Sequence, residues 1–403
     1  MLSQETIAIV KATAPVMHRH GETITRHMYD KLLRAPAIRA LFDPTHQRNG
    51  TQARALAAAV AAYADNIDNL PALGPAVERI AERHVALGVQ PHHYDIVGTN
   101  LLESVQDILG ETATPAIMGA WAEAWVALRD IFVQVEQARY RDNAGAPGGW
   151  YGWRPFRVAR IVEEGGPVRS LYLEPQDGGA VLSFRPGQYL TVRLPVDGHG
   201  PLLRHYSLSD APRAGGYRIS VKREDAPGAG LPHGLGSGYI HRHLAEGDIV
   251  EVAPPAGNFL APDDGRPLIL LAGGIGITPF LSILEDAAER GDRRQMRVMH
   301  AVRDRAHHAF GPRLRTLAAT HANITAGIFY ETVSERDVQG HDYDHAGRID
   351  PAALVSRSPD THYMVCGPKG FMASMIRGLR AGGVAADRIS YEFFGSHEQD
   401  LIG

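Results

Sequence analysis

Cysteine is almost absent: the 403 residues contain one, Cys366. A single cysteine makes no disulfide within the chain, so the fold needs no oxidising compartment. Neither sign of charge is in large excess: 41 Lys and Arg stand against 45 Asp and Glu, for a net charge of -4 with neutral histidines. That balance offers no broad basic face for nucleic acid and no polybasic tail for a membrane surface. Long apolar runs are missing too; none approaches the ~18 residues of a spanning helix. The N-terminal MLSQETIAIVKATAPVMHRHGE carries an early acid instead of the charged-then-apolar layout of an export signal. These absences predict a cytoplasmic chain with no nucleic-acid partner and no stable membrane insertion. The 20 histidines are scattered, without metal-finger spacing. What remains, 44% apolar and 21% charged residues, is ordinary for a globular protein. The length predicts two to four domains at roughly 100–200 residues each.

Three regions differ in period. Up to about residue 140 the pattern is helical: Leu101, Leu102, Val105, Ile108 and Leu109 recur at helical spacing, as do Trp121, Trp125, Leu128, Phe132 and Val135. Prolines stand at boundaries, in Asp43-Pro44, Leu70-Pro71 and Gln90-Pro91. This region, 1–140, is expected to be an all-α domain of about six to eight helices. Asn143-Ala-Gly-Ala-Pro-Gly-Gly149 reads as a connection, within a linker over 141–150. Over 151–262 the segments Phe156–Val162, Ser170–Glu174, Tyr189–Leu194, Tyr217–Lys222 and Asp248–Val252 are short, β-rich and separated by Gly/Pro turns. They predict an antiparallel barrel or sandwich. Over 263–403 strands alternate with helices: Pro267–Ala272, helix 279–290, Met296–Ala301, helix 308–318, Asn323–Tyr330, Tyr363–Val365, helix 370–381 and Ile389–Glu392. Strand–helix alternation predicts a doubly wound α/β domain with a parallel sheet.

In this last region Leu268-Ile-Leu-Leu-Ala-Gly-Gly-Ile-Gly-Ile-Thr-Pro279 is a buried strand entering a glycine turn and then a helix. Glycines let backbone approach a pyrophosphate, and the helix N-terminus offers free N–H groups to it. One such turn is also an ordinary strand-to-helix corner, and the third glycine of the dinucleotide fingerprint is absent. Tyr363-Met-Val-Cys-Gly-Pro-Lys-Gly-Phe-Met372 is a second strand ending in a glycine turn. Two turns at the carboxyl ends of parallel strands define one crevice. Together, Gly274-Ile275-Gly276-Ile277-Thr278-Pro279 and Cys366-Gly367-Pro368 resemble the NAD(P) module of the ferredoxin–NADP reductase superfamily. In that resemblance Cys366 lies beside the nicotinamide path; it also reads as a small buried residue ending a strand.

Arg204-His205-Tyr206-Ser207 resembles the superfamily's Arg-x-Tyr-Ser motif. The residue types suit a flavin: an arginine fork for a pyrophosphate, a tyrosine ring against the isoalloxazine, a hydroxyl to hydrogen-bond near the hydride-accepting atom. Arg185-Pro-Gly-Gln-Tyr189 resembles the segment with a flavin-contacting tyrosine. Gly234-Leu-Gly-Ser237 is expected to open a helix, with Ser237 as N-cap and phosphate donor. Phe393-Phe394-Gly395-Ser396 resembles the closing aromatic segment, Phe394 lying near the flavin. By resemblance the flavin is FAD.

In the helical region Val77, Ile80, Ala81 and His84 fall on one helical face. The His84 imidazole then points inward, where a neutral nitrogen can bind haem iron; a lone histidine there is more commonly a core residue. Ten residues on, Tyr94 starts the next helix. Leu128, Phe132 and Glu136, spaced by four, put a carboxylate on an apolar face, where it needs a partner.

These positions, with Tyr29-Asp30, Gln47-Arg-Asn-Gly50, Ala61-Ala-Tyr63, Asn69-Leu-Pro-Ala72, Tyr94-Asp-Ile-Val-Gly98 and the Gly148-Gly-Trp150 joint, resemble the flavohaemoglobin family over essentially the whole chain. The resemblance implies a globin carrying haem b, an FAD barrel and an NAD(P) domain. It implies His84 as proximal ligand, Tyr94 and Glu136 as the partners that polarise it, and Tyr29, Gln52 and Leu56 around bound oxygen, with Phe42 against the porphyrin. Tyr29, Leu56 and Phe42 also read as plain core. Arg83 resembles the partner of Glu392, as arginine where the family has lysine; it also reads as a solvated surface residue. The implied activity is a nitric oxide dioxygenase, taking electrons from NADH or NADPH and acting on oxygen and nitric oxide, as a monomer. Hydroperoxide reduction, or oxygen storage or sensing by a globin with a maintenance reductase, are the alternatives; a flavin reductase without haem is a fourth. After the second nucleotide strand, Asp304 suits the ribose hydroxyl of NADH, while Arg303 or Arg305 suits a 2′-phosphate.

Overall fold

A computed structural model describes residues 2–34, 38, 50–196, 200–225, 234–356, 358 and 360–394. Two compact units emerge, the first built mainly on residues 1–146 and the second on residues from 147 onward.

The first unit is helical. Helix α1 (Gln4–Leu32) starts at Ser3, whose hydroxyl accepts the Thr6 amide, and keeps Pro15 inside it. Its buried positions Val10, Ala14, Met17, Gly21, Ile24 and Met28 alternate by four and three, the spacing of one helical stripe. Helices α2 (Thr51–Asp65), α3 (Gly74–Leu87), α4 (Pro91–Leu109) and α5 (Pro115–Gly145) follow, with 3₁₀ turns at Leu70–Leu73 and Gly110–Thr112. These are five α-helices among the described residues. Pro91 and Pro115 occupy first turns, where no amide is missed. Gly88, in the left-handed conformation, ends α3. Gly98 lets α5 come close to α4: a Cβ there would sit 2.0 Å from Trp125 Nε1. Helix α5 runs on to Gly145, so Asn143–Gly145, which composition assigns to a connection, is its last turn.

The second unit holds two sheets. Strands β1 (Arg154–Glu163), β2 (Val168–Pro175), β3 (Tyr189–Val196), β4 (Gly200–Ser207), β5 (Tyr217–Lys222) and β6 (Ile249–Val252) lie in the order β4-β3-β6-β1-β2-β5. The pairings β1/β2, β1/β6, β2/β5 and β3/β6 are antiparallel. The chain leaving β4 bridges to β5 through Leu208 and Ile219, and the Ser209 amide donates to the Arg218 carbonyl at 2.9 Å. This contact joins the two ends of the strand order and closes the sheet as a barrel. Helix α6 (Leu235–His243) connects β5 to β6.

The second sheet is formed by β7 (Leu268–Gly273), β8 (Met296–Val302), β9 (Ile324–Tyr330), β10 (His345–Ala346), β11 (His362–Cys366) and β12 (Ile389–Glu392), in the order β10-β9-β8-β7-β11-β12. All its pairings are parallel. Alternate residues serve opposite faces. Leu268, Leu270 and Ala272 pack with Phe280, Leu281 and Leu284 of α7 (Thr278–Glu289) and Leu314 and Leu317 of α8 (Gly311–Thr320). Ile269 and Leu271 pack with Met372, Met375 and Ile376 of α9 (Lys369–Ala381). Burial on both faces explains why β7 is a continuous apolar run. Val168 and Phe259 of the barrel join the α7 side of this core, so the barrel and the α/β lobe share packing.

Candidate functional site

In the helical unit three distant residues meet. His84 on α3, Tyr94 on α4 and Glu136 on α5 form a triangle: His84 Nδ1 lies 2.7 Å from Glu136 Oε1 and 2.8 Å from the Tyr94 hydroxyl, which itself donates to Glu136 Oε1 at 2.5 Å. Glu136 is 2% exposed and Tyr94 7%. Burial and the Glu136 charge push the Tyr94 phenol far above its ordinary range, so it stays a donor. A carboxylate oxygen accepts, so Nδ1 carries the imidazole proton and Nε2 keeps its lone pair. Nε2 makes no hydrogen bond among the described residues, and the His84 side chain is 31% exposed. Phe132, Ala81, Val77 and Ile80 wall the triangle. A fixed tautomer with an open Nε2 in an apolar wall fits a haem ligand.

Between α1 and α2, the Thr25 hydroxyl donates to the Ala53 carbonyl at 2.7 Å, and Gly21 meets Ala57. Gln52 stands in the first turn of α2. Gln52 Oε1 is buried without a hydrogen-bond partner among the described residues. A buried polar atom of this kind calls for a partner beyond those among the described residues. Tyr29 and Leu56 both border the main apolar cluster, and burial raises the Tyr29 phenol, keeping it protonated. Phe42 lies outside the described residues.

In the barrel, Arg204, His205, Tyr206 and Ser207 end β4. The Tyr189 and His205 rings are 4.7 Å apart, and His205 Nδ1 meets the Thr191 hydroxyl at 2.8 Å. Ser207 is 6% exposed, and its hydroxyl has no hydrogen-bond partner among the described residues. Gly236 packs its bare backbone against Arg204 and Tyr206; a Cβ there would lie 2.9 Å from Arg204 Cγ. Burial raises the Tyr206 phenol against the pull of Arg204. An orphaned serine and an arginine beside a helix start suit a flavin and its pyrophosphate. One expectation is corrected. Ser237 is not the N-cap of α6: Gly234 is, and the Ser237 hydroxyl accepts the Glu224 amide at 3.1 Å from within the first turn.

In the α/β lobe the chain winds from β7 through β8 and β9 to one side, then returns to place β11 on the other. The switch point therefore lies between β7 and β11, where ligands of open parallel sheets bind. Both glycine turns stand there. Gly274–Ile277 is a 3₁₀ turn leading into Thr278 and Pro279 of α7. A Cβ on Gly276 would lie 2.3 Å from the Cys366 carbonyl oxygen, and one on Gly367 would lie 2.9 Å from the Gly273 backbone. Gly276→Ala is expected to cost about 1–3 kcal/mol through this overpacking, read as a lower urea midpoint. Cys366 is fully buried, and burial with the Glu392 charge raises its thiol, so it remains a protonated strand-end residue.

Sequence reading missed His300. It sits fully buried on β8, and its Nε2 donates to the Gly274 carbonyl at 2.9 Å. Burial depresses its pKa to about 3, so the ring stays neutral and steadies the turn. A histidine in the apolar run Met296–Val302 was the only signal. Asp304 accepts the His307 amide and ring on Oδ1, leaving Oδ2 without a hydrogen bond among the described residues. Arg305 pairs with Asp342, while Arg303 is exposed. Arg83 lies beside His84 in the first unit, and Glu392 ends β12 in the second. Phe393 borders the α9 core and Phe394 is 46% exposed; Gly395 and Ser396 lie outside the described residues.

Residues 25–131 match the Globin family, 156–260 the Oxidoreductase FAD-binding domain and 270–377 the Oxidoreductase NAD-binding domain. The chain is 47% identical over 402 residues to the Flavohemoprotein of Bordetella parapertussis, covering 98% of this chain and 99% of that one. It is 44% identical over 405 residues to the Flavohemoprotein of Chromobacterium violaceum, covering 99% and 100%. The crystal structure of a flavohemoglobin from Malassezia yamatoensis, with bound FAD and heme, aligns over 98% of this chain and 100% of that one, with a TM-score of 0.84 at 27% identity. The FAD/NAD-binding domain of nitric oxide dioxygenase from Vibrio cholerae aligns over 60% of this chain and 98% of that one, with a TM-score of 0.54 at 35% identity. Among the described residues no helix is long and apolar enough to cross a membrane.

Proposed function

This chain belongs to the flavohaemoglobin family of oxidoreductases, and from that membership we propose that it is a nitric oxide dioxygenase working with haem b, FAD and a nicotinamide dinucleotide. When bound, the three groups together supply hydride acceptance, single-electron delivery and the oxygen chemistry that turns nitric oxide into nitrate. The observation that carries the reading is the buried triangle of His84, Tyr94 and Glu136. A carboxylate drawing on the Nδ1 proton gives the imidazole more imidazolate character. The added electron density at Nε2 favours oxygen activation over reversible carriage.

The remaining residues take roles in the same reading. His84 would hold the iron through Nε2. Tyr29 would donate a hydrogen bond on the distal side, where Gln52 and Leu56 limit space and place a polar group. Arg204 would pair with the FAD pyrophosphate, Tyr206 and Tyr189 would lie against the ring system, and the Ser207 hydroxyl would hydrogen-bond it. The backbone of Gly274–Ile277 and the start of α7 would receive the dinucleotide phosphates, opposite Cys366-Gly367-Pro368. Asp304 Oδ2 would accept from a ribose hydroxyl, which favours NADH.

The test is consumption of nitric oxide by purified chain with NADH and oxygen, with nitrate counted as product. Stoichiometric nitrate at a rate far above the uncatalysed reaction is expected. Faster turnover of an alkyl hydroperoxide than of nitric oxide would replace this reading with a peroxide reductase. No turnover of either would leave an oxygen carrier or sensor.

A further inference from the structure

Glu285 lies on α7, two helical turns beyond the glycine turn that opens it, and is 2% exposed. Its carboxylate holds one arginine from each lobe of the second unit. Arg313 of α8 forks onto it, Nε to Oε1 at 2.8 Å and Nη2 to Oε2 at 2.5 Å. Arg218 of β5 brings Nη2 to 3.6 Å from Oε1 and is itself 8% exposed. Arg218 also donates to the Ser209 hydroxyl at 3.2 Å and, through Nη2, to the Ser209 carbonyl. Ser209 stands two residues past Ser207. At the rim Arg213 repeats the bridge, joining Asp210 to Glu289 at 2.7 Å.

A strained residue sits against this cluster. Phe310 has φ 63°, the one left-handed non-glycine among the described residues, and is 3% exposed. Its ring lies 6.0 Å from the Arg218 guanidinium, and its amide donates to the Glu164 carbonyl of the β1–β2 turn at 3.2 Å. A bulky side chain keeps this backbone only where its surroundings determine it.

Buried ions cost several kcal/mol each to desolvate, and an apolar replacement is often as stable. Stability alone therefore does not account for burying Glu285 with Arg218. The interactions run unbroken from Ser209, two residues past Ser207 on the same chain segment, through Arg218 and Glu285 to the helix that begins at the nucleotide turn. We infer that Glu285, clasped between Arg218 and Arg313, is a positioning residue that sets the flavin side of the barrel against the nucleotide-binding helix. The inference rests on the proposed flavin and dinucleotide assignments. Hydride passage from reduced nicotinamide to oxidised flavin, which moves one proton and two electrons together, depends on that spacing; a shift of 1 Å can cost about a hundredfold.

The test uses full-length chain carrying Glu285→Gln, and Arg313→Met, whose parent side chain is 46% exposed and so less needed for folding. In flavin-free chain, amide exchange over 209–220 and 278–289 is expected to rise together in both variants. In loaded chain, anaerobic flavin reduction by NADH is expected to slow about ten- to a hundredfold, with flavin content and NADH Kd within about twofold of the parent. Exchange that rises in α7 alone, or reduction at the parent rate, overturns the inference. If Glu285→Gln does not fold, Arg313→Met decides by the same two readouts. Neither assay contains nitric oxide or oxygen, so the dioxygenase reading stands or falls separately.

Discussion

His84→Ala is expected to purify without a Soret band while keeping its flavin absorbance. The reason is local. Nε2 of His84 makes no hydrogen bond among the described residues, and its ring is fixed by two hydrogen bonds at Nδ1. Alanine removes the nitrogen and leaves Glu136 and Tyr94 paired with each other, so the buried acid is not abandoned. The fold of the first unit should therefore persist, with the loss confined to pigment and to every haem-dependent activity. Tyr189, Arg204, Tyr206 and Ser207, the residues proposed for the flavin, belong to the second unit, so diaphorase activity toward a soluble electron acceptor should stay near the parent level. Haem retained at parent stoichiometry in this variant would show that another side chain holds the iron.

Glu136→Gln is the second large effect. Glutamine keeps the shape and the acceptor toward Tyr94 and His84 but removes the charge that draws on the Nδ1 proton. Partners of this kind typically change affinity or activity by about 10–100-fold. Nitric oxide turnover is expected to fall within that range while haem content holds and the ferrous carbon-monoxide stretching band shifts. Unchanged turnover with an unshifted band would mean that the carboxylate only fills a buried position. Because burial and the carboxylate together raise the Tyr94 phenol, loss of that charge should also lower the Tyr94 pKa, in the direction of ordinary tyrosine.

Much of this architecture is legible in the residues. The change from period 3.6 to period 2, and then to strand–helix alternation, separates helical, barrel and α/β regions because each buries a different face. The glycine turns after Leu268–Ala272 and Tyr363–Val365 stand together because β7 and β11 are neighbours in register, Ala272 opposite Cys366. Spacing also gives Val77, Ile80, Ala81 and His84 one face. It does not give the meeting of His84, Tyr94 and Glu136, which depends on how three helices cross; the family resemblance supplied it.

What was hidden is mostly long-range. Strand β4 carries Pro201 and the polar Arg204-His-Tyr-Ser207, so it lacks the apolar alternation that marks strands, and its closure onto β5 is a tertiary contact. Helix α8 begins at Gly311 rather than at residue 308 because Phe310 turns left-handed just before it and Pro312 opens the first turn. No sequence rule expects phenylalanine in that conformation. Glu285 sits among the buried residues of α7 with no local sign of its two arginines, and His300 in β8 likewise bonds a carbonyl 26 residues away. Pro15 is accommodated inside α1, where a boundary is the usual reading.

The most direct measurement is an anaerobic spectrum of the full-length chain, taken in time after adding NADH. The flavin absorbance should bleach first, and the Soret band should then move to its ferrous position within the turnover time for nitric oxide. A flavin that bleaches while the haem stays ferric would contradict the claim that this polypeptide carries electrons from nicotinamide to the iron on His84.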